Sequence, residues 1–297
     1  MMNLKVMRVV VPGFRYSSVP APGPDGDPGG RLAVDADPQI PRRSPGVTTR
    51  PGLSYRDQLR LDLVAPTGPG PFPLVVYVPG GGFVIAPRGA ARREREFVAA
   101  AGFVVASVEY RTTRQQATGR DGLADVGSAI DHLVDHADTY GIAADRVAVW
   151  GESAGGYLAA LTGLMDPRVR AVVDQFGATD LTRIADGFDA RMRATVEDPQ
   201  HPINRYGATA PNPIELVRPA APPFLFLHGD DDRIIPPSQT LALHGALRAA
   251  GADSTHYLLA GAGHGPLSRS RRQARQWTSV QVLSIIREFL DRQLRTG

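Results

Sequence analysis

The chain has 297 residues, 42% hydrophobic and 21% charged, with no cysteine and a formal net charge of +3. These proportions suit a globular, enzyme-sized chain and neither a disordered nor a membrane-embedded one. The missing thiols exclude a disulfide framework, a thiol nucleophile and a cysteine-ligated metal. Arginines are scattered, and the densest basic run, "RSRRQAR" at 269–275, reads as a solvated loop and helix start, so no nucleic-acid partner is indicated.

The opening stretch "MMNLKVMRVVVPGF" has too brief an apolar run for a signal peptide and no small-residue cleavage site. No segment approaches the roughly 18 consecutive apolar residues of a membrane span, and the expected location is cytoplasmic. Residues 1–54, with "SSVPAPGPDGDPGG" at their centre, are expected to form an irregular Pro/Gly-rich arm ahead of one α/β domain over 55–297. From Tyr55 onward, short apolar runs alternate with helix-length segments, the signature of βαβ units and a mostly parallel central sheet flanked by helices. "QLRLDLVAP" alternates with period two and predicts an edge strand. "PLVVYVPGG", "FVVASVEY", "RVAVWG", "VRAVVDQF" and "PFLFLHG" are continuous apolar runs, as expected of strands buried on both faces. Helices are predicted over 88–101, 121–141, 154–164, 238–250 and 279–295; in the second, Leu123, Val126, Ile130, Leu133 and Val134 recur at helical spacing. The proline-rich stretch 179–222 has no clean strand and predicts a small cap inserted between core strands.

Candidate chemistry begins at "RVAVWGESAGGYLAAL", a strand, then Gly151-Glu152-Ser153-Ala154-Gly155, then a helix. A serine lifted on a sharp strand-to-helix turn needs small residues two positions either side, and the glycines supply them. The same serine could serve only as a helix cap. A hydroxyl is a poor nucleophile at neutral pH, so it requires a base, and the base an orienting carboxylate. "FLFLHGDDDRIIPP" offers Asp230, Asp231 and Asp232, and "LLAGAGHGP" offers His264, each in a loop that ends a strand. His228 is expected to stabilise the turn of the acid loop. His132 and His136, beside Asp131 and Asp135, fit a solvated helix face better than a metal site, because the glutamate of H-E-x-x-H is missing. His201, His244 and His256 show no partner pattern. In "YVPGGGFV", Tyr77 to Val84, three glycines let backbone N–H groups approach a developing oxyanion. The lysine and Ser/Thr of a phosphate-binding loop are absent. The expected donors are the amides of Gly81, Gly82 and Ala154.

With these elements in this order, the chain resembles an α/β-hydrolase of the carboxylesterase group that includes the hormone-sensitive-lipase-like enzymes and the smaller acetyl and feruloyl esterases, whose signatures are H-G-G-G and G-[DE]-S-A-G-G. The resemblance runs from Tyr55 to the C-terminus through "LRLDLVAP", "PGGGF", "EYR", "YGIAADRVAVWGESAGG", "FGATDL", "PPFLFLHGDDDRIIP" and "GAGHG". It implies Ser153 as nucleophile, His264 as general base and then acid, and Asp232 as the orienting carboxylate. Asp232 matches the last aspartate of the group's H-G-x-x-D-x-x-[VI]-P loop, here His228 to Pro236. The expected reaction is ester hydrolysis through an acyl-enzyme, with no cofactor, no metal and a small-molecule ester as partner; short-acyl or aryl-type esters are expected because the cap is small and no long apolar tunnel can be inferred, and a homodimer is left open. The same triad would serve an arylformamidase, a lactonase, or an acyltransferase or cyclase of a biosynthetic pathway. A catalytically silent binding protein of this fold is the remaining alternative, against which the complete set of candidates argues. Two departures stand out. Pro79 occupies the place of the group's histidine, which braces the oxyanion loop, and "YRTTRQ" after Glu109 replaces the usual "YRLAPE".

Overall fold

The computed structural model describes residues 30–185, 190–207 and 209–295, together with two short antiparallel strand pairs between residues 6 and 20. One sheet contains β1 (Arg31–Leu32), β2 (Val47–Arg56), β3 (Leu59–Pro66), β4 (Phe72–Val78), β5 (Val104–Val108), β6 (Ile142–Glu152), β7 (Val169–Gln175), β8 (Phe224–Gly229) and β9 (Ser254–Leu259). Its order is β1-β9-β8-β7-β6-β4-β5-β3-β2. Pairing is antiparallel where β3 meets β2 and β5, and parallel everywhere else. The helices are α1 (Arg92–Ala100), α2 (Gly119–Asp135), α3 (Ala137–Tyr140), α4 (Ala154–Met165), α5 (Ala190–Val196), α6 (Pro202–Gly207), α7 (Ser238–Ala249), α8 (Arg271–Trp277) and α9 (Val280–Arg295). A mostly parallel sheet sandwiched between helices is the α/β-hydrolase fold expected from the resemblance.

Alternation along the strands builds two cores, because successive side chains point to opposite faces. Leu74, Val76, Val149, Val172 and Phe226 pack toward α2, α4 and α7. Val75, Tyr77, Val105, Trp150 and Val173 pack toward α1 and α9. Both faces are covered, which is why these strands read as unbroken apolar runs. In α9 the spacing of Val282, Leu283, Ile286, Phe289, Leu290 and Leu294 turns one stripe to the sheet.

The structure corrects several expectations. Leu59–Pro66 is not an edge strand. Leu61, Leu63 and Val64 are buried, and β2 pairs outside it, beginning at Val47 within the stretch expected to be irregular. Leu32, Val34 and Ile40 also reach the core, so the 1–54 arm is not irregular throughout. The helix expected over 121–141 starts at Gly119, where the Thr118 N–H donates to Asp121 Oδ2 at 2.8 Å, and breaks at His136; Gly141, at φ 66°, closes α3. The helix expected from residue 88 starts at Arg92, after Ala91 at φ 47°.

The connection after β4 goes to α1 on one face, whereas the connection after β6, its neighbour in the sheet, goes to α4 on the other. The crevice where connections diverge is where α/β sheets bind ligands, and the glycine cluster and Ser153 both lie there. Among the described residues, no helix is long and apolar enough to cross a membrane.

Leu158 is fully buried on α4 within the core facing α2. Leu158→Ala is expected to cost about 2–5 kcal/mol, read as a lower urea midpoint with an unchanged slope.

Candidate active site

Ser153 sits at φ 54° and ψ −122°, between the end of β6 and the first residue of α4. A non-glycine residue there costs on the order of 1–3 kcal/mol and persists only when its surroundings over-determine it. The surroundings are dense. A Cβ on Gly151 would lie 2.2 Å from the Gly155 carbonyl oxygen, and one on Gly155 would lie 2.0 Å from that of Val78. The Ser153 N–H donates to Gln175 O at 2.9 Å, and its carbonyl accepts from Gly156 at 3.0 Å. The glycines thus let the elbow pack directly against the ends of β4 and β7.

His264 Nε2 faces Ser153 Oγ at 2.9 Å, and its Nδ1–H donates to Asp232 Oδ2 at 2.7 Å. The other carboxylate oxygen accepts from the Ile234 and Ile235 amides at 2.8 and 3.0 Å. The three expected residues are therefore brought together, and the neighbouring aspartates are turned elsewhere. Asp230 accepts from Arg31 and the Gly261 amide, and Asp231 from Arg233 and Gln273. His264 is only 3% exposed, with Phe176 edge-on at 4.8 Å and Trp277 edge-on to Phe176 at 4.5 Å.

The expected role of His228 understates its place. Its Nε2 lies 3.0 Å from Ile235 O and 3.4 Å from Asp232 Oδ2. With Nε2 donating, Nδ1 accepts from the Thr240 hydroxyl at 2.7 Å, and Thr240 Oγ1 accepts from His256 Nε2 at 2.9 Å. Burial holds His256 far below the ordinary histidine range, so it remains the neutral end of this chain. Burial pushes the Asp232 carboxyl up, but hydrogen bonds from His228 and His264 outweigh it and hold the group well below the usual carboxylate range. His244 also has a partner, Ser254 Oγ at 2.8 Å. No periodicity reveals such pairings, although the position of His228 four residues before Asp232 is visible in the sequence.

The glycine cluster lies beside the elbow. A Cβ on Gly80 would stand 3.1 Å from Ser153 Cβ. Gly81, Gly82 and Phe83 take φ of 145°, 61° and 61°, and the Gly81 carbonyl accepts from the Val84 and Ile85 amides at 3.0 and 3.2 Å. Ala154 opens α4, where first-turn N–H groups have no partner within the helix and the helix dipole favours negative charge. Phe83 stacks on Tyr206 of α6 at 4.5 Å and meets Tyr157 edge-on at 5.8 Å, which joins this loop to the cap. The cap's first residues are pinned by Gln239 Oε1, which accepts from the Thr179 and Asp180 amides.

No group of three or more His, Asp or Glu side chains suited to a metal occurs among the described residues. His136 Nδ1 bonds the His132 carbonyl one turn earlier, and His132 Nε2 bonds Tyr140 Oη at the end of α3, which commits those nitrogens to partners within the α2–α3 segment.

A family model described as BD-FAE matches residues 61–247. Esterase LipC of Mycobacterium tuberculosis (strain ATCC 25618 / H37Rv) is 34% identical over 217 residues, covering 66% of this chain and 53% of its own length. The probable carboxylic ester hydrolase LipM of the same organism is 29% identical over 198 residues, covering 60% and 46%. The chain thus spans about half the length of these curated relatives. Among solved structures, esterase Est2 of Thermogutta terrifontis matches with a TM-score of 0.67 and 25% identity, over 85% of this chain and 95% of that one. A truncated carbohydrate esterase from gut microbiota matches at 0.69 and 23%, over 83% and 96%, a likeness of fold.

Because a Cβ at residue 155 would meet backbone, Gly155→Ala is expected to reduce the yield of folded protein or lower its melting temperature sharply, whereas Gly245→Ala, with open space around it, is not. A second expectation concerns Asp174, fully buried below the elbow, with Oδ1 accepting from the Gly177 amide at 2.9 Å. Burial pushes its carboxyl up to about 8. It is protonated when folded and ionised when unfolded above about pH 4, so unfolding releases a proton and stability falls as pH rises toward 8. Asp174→Asn, uncharged in both states, should flatten the pH dependence of the urea midpoint between pH 5 and 8.

Proposed function

The chain belongs to the BD-FAE family, and from that premise we propose that it is a serine carboxylester hydrolase acting through an acyl-enzyme on short-acyl or aryl-type esters. The observation that carries the reading is the continuous hydrogen-bonded chain Asp232–His264–Ser153, set where α4 begins. Ser153 Oγ attacks the ester carbonyl while His264 Nε2 takes its proton. The imidazolium that forms is stabilised by Asp232, whose low pKa keeps it ionised. The oxyanion is held by the amides of Gly81, Gly82 and Ala154. Collapse of the tetrahedral intermediate expels the alcohol, which leaves with the proton from His264. Water, deprotonated by the same imidazole, then attacks the acyl-enzyme, releasing the acid and restoring Ser153. Neither step requires a metal or a cofactor.

The small substrate class is supported by the cap, whose helices α5 and α6 have seven and six residues, and by the fully buried Phe83, Tyr157 and Tyr206 that fill the space beneath it. The relatives' printed activities, ester hydrolysis in LipC and LipM, agree with the reaction class.

The test follows chromophore release from aryl acetates and butyrates, with mass spectrometry of the protein after treatment with an activated organophosphorus reagent. The wild type is expected to turn over and to carry one adduct, on Ser153. Ser153→Ala should lose on the order of 10⁶ in kcat, and Asp232→Asn about 10⁴, through the wrong imidazole tautomer. Turnover that survives Ser153→Ala, or an adduct on another residue, would sink the reading.

A further inference from the structure

Pro79 has no N–H and no polar side chain, so it cannot itself brace the loop that follows it. Yet that loop holds three consecutive residues at positive φ, one of them Phe83, and such a course needs outside support. The support comes from the segment after β5, where the sequence also departs from the group. Tyr110 Oη donates to Pro79 O at 2.9 Å. Thr113 donates to Phe83 O twice, through its amide at 2.9 Å and its hydroxyl at 3.0 Å. Thr112 Oγ1 lies 2.9 Å from Val84 O and 2.8 Å from Gln115 Oε1, and its one proton serves these two acceptors.

These contacts matter because a peptide unit is planar and trans, so fixing a carbonyl also fixes the N–H of the next residue. Holding Phe83 O and Val84 O orients the N–H groups of Val84 and Ile85. Those two N–H groups are the ones that hold Gly81 O. Gly81 O in turn shares its plane with the N–H of Gly82. A path of fixed planes therefore runs from two threonine hydroxyls to a candidate oxyanion donor. Tyr110, through Pro79 O, orients the Gly80 amide at the point where the loop touches Ser153. Thr112 and Tyr110 are 3% and 2% exposed, so water does not compete for their bonds.

We propose that the hydroxyls of Tyr110, Thr112 and Thr113 are positioning groups, the threonines setting the Gly82 amide for the oxyanion and Tyr110 setting the Gly80 peptide that leads into the loop, in place of a histidine ahead of the glycines. This rests on the esterase reading. The two sequence departures, Pro79 and the threonines of "YRTTRQ", then form one arrangement, with Pro79 stiffening the approach and Thr112 and Thr113, beside the shared Tyr110, supplying hydrogen bonds. The same segment receives the cap, since Tyr206 Oη donates to Arg111 O at 3.1 Å.

The experiment compares wild type with Thr112→Val/Thr113→Val, which keeps shape and removes both hydroxyls, with Tyr110→Phe, and with Thr112→Ser/Thr113→Ser, which returns the hydroxyls. Each is assayed for kcat, KM, melting temperature and inhibition by an aryl trifluoromethyl ketone, whose adduct places an oxyanion in the hole. Losing one donor outright costs roughly 10²–10³ in rate, so misorienting one should cost about 10–100-fold in kcat with little change in KM. The ketone's Ki should rise by the same factor as kcat/KM falls, and the serine pair should recover most of both. A merely structural role would lower the melting temperature while leaving kcat and Ki as in wild type, and that result overturns the proposal. Tyr110→Phe decides the matter by the same criteria if the valine pair does not fold. A wild type silent toward esters and unlabelled at Ser153 overturns the esterase reading and this inference with it. An active wild type with equally active variants overturns the inference alone.

Discussion

The rest of the site depends on one backbone constraint, the positive φ of Ser153 at the junction of β6 and α4. A serine in that conformation is tolerable only where the chain ends around it approach more closely than side chains permit. Gly151 and Gly155 supply the approach, and the carbonyls of Val78 and Gly155 occupy the space that methyl groups would need. Once the elbow is locked against β4 and β7, Ser153 Oγ stands at the divergence of two connections. The residues ending β4 and the residues beginning α4 then have to be neighbours. The closeness of the glycine cluster to the serine follows from sheet order and not from any attraction between them.

Around Asp232 the polar groups are organised by hydrogen-bond pairing rather than by charge alone. Asp232 is 7% exposed, yet accepts two amides and faces two histidines. A buried carboxylate so surrounded is held ionised by its hydrogen bonds against the pull of burial. The chain continues through His228 and Thr240 to His256, and each member can satisfy the next only in one tautomer. Such a network fixes the direction of the carboxylate more firmly than a single contact would. Asp174 represents the opposite case: one amide bond against complete burial, and a carboxyl that keeps its proton.

The cap is joined to the same machinery. Phe83, held in the turn after the glycines, lies between Tyr157 of α4 and Tyr206 of α6, while Tyr157 Oη bonds Pro211 O. Aromatic stacking and one hydrogen bond on each side connect cap, glycine loop and α4. A shift of α6 would therefore be felt at Phe83 before it reached Ser153.

Much of this was legible in the sequence, because it depends on local rules. Two-face burial makes unbroken apolar runs, so five central strands could be read directly. An elbow needs glycines at fixed offsets, so Ser153 and its neighbours could be read as well, with the loops bearing Asp232 and His264 in the expected order. What only the tertiary structure decided are relations between segments that leave no periodic trace. The resemblance implied Asp232 among the three adjacent aspartates, but why the other two turn away from His264 depends on the course of a loop through partners at Arg31, Gln273 and Gly261. That β2 covers β3 depends on strand pairing, which alternation in one strand cannot specify. The hydroxyls of Thr112 and Thr113 reach carbonyls about thirty residues earlier only because β4 and β5 are parallel neighbours, which brings the loops after both strands to the same end of the sheet. Local sterics are written residue by residue, whereas a hydrogen bond across the fold exists only after the sheet has set the distance.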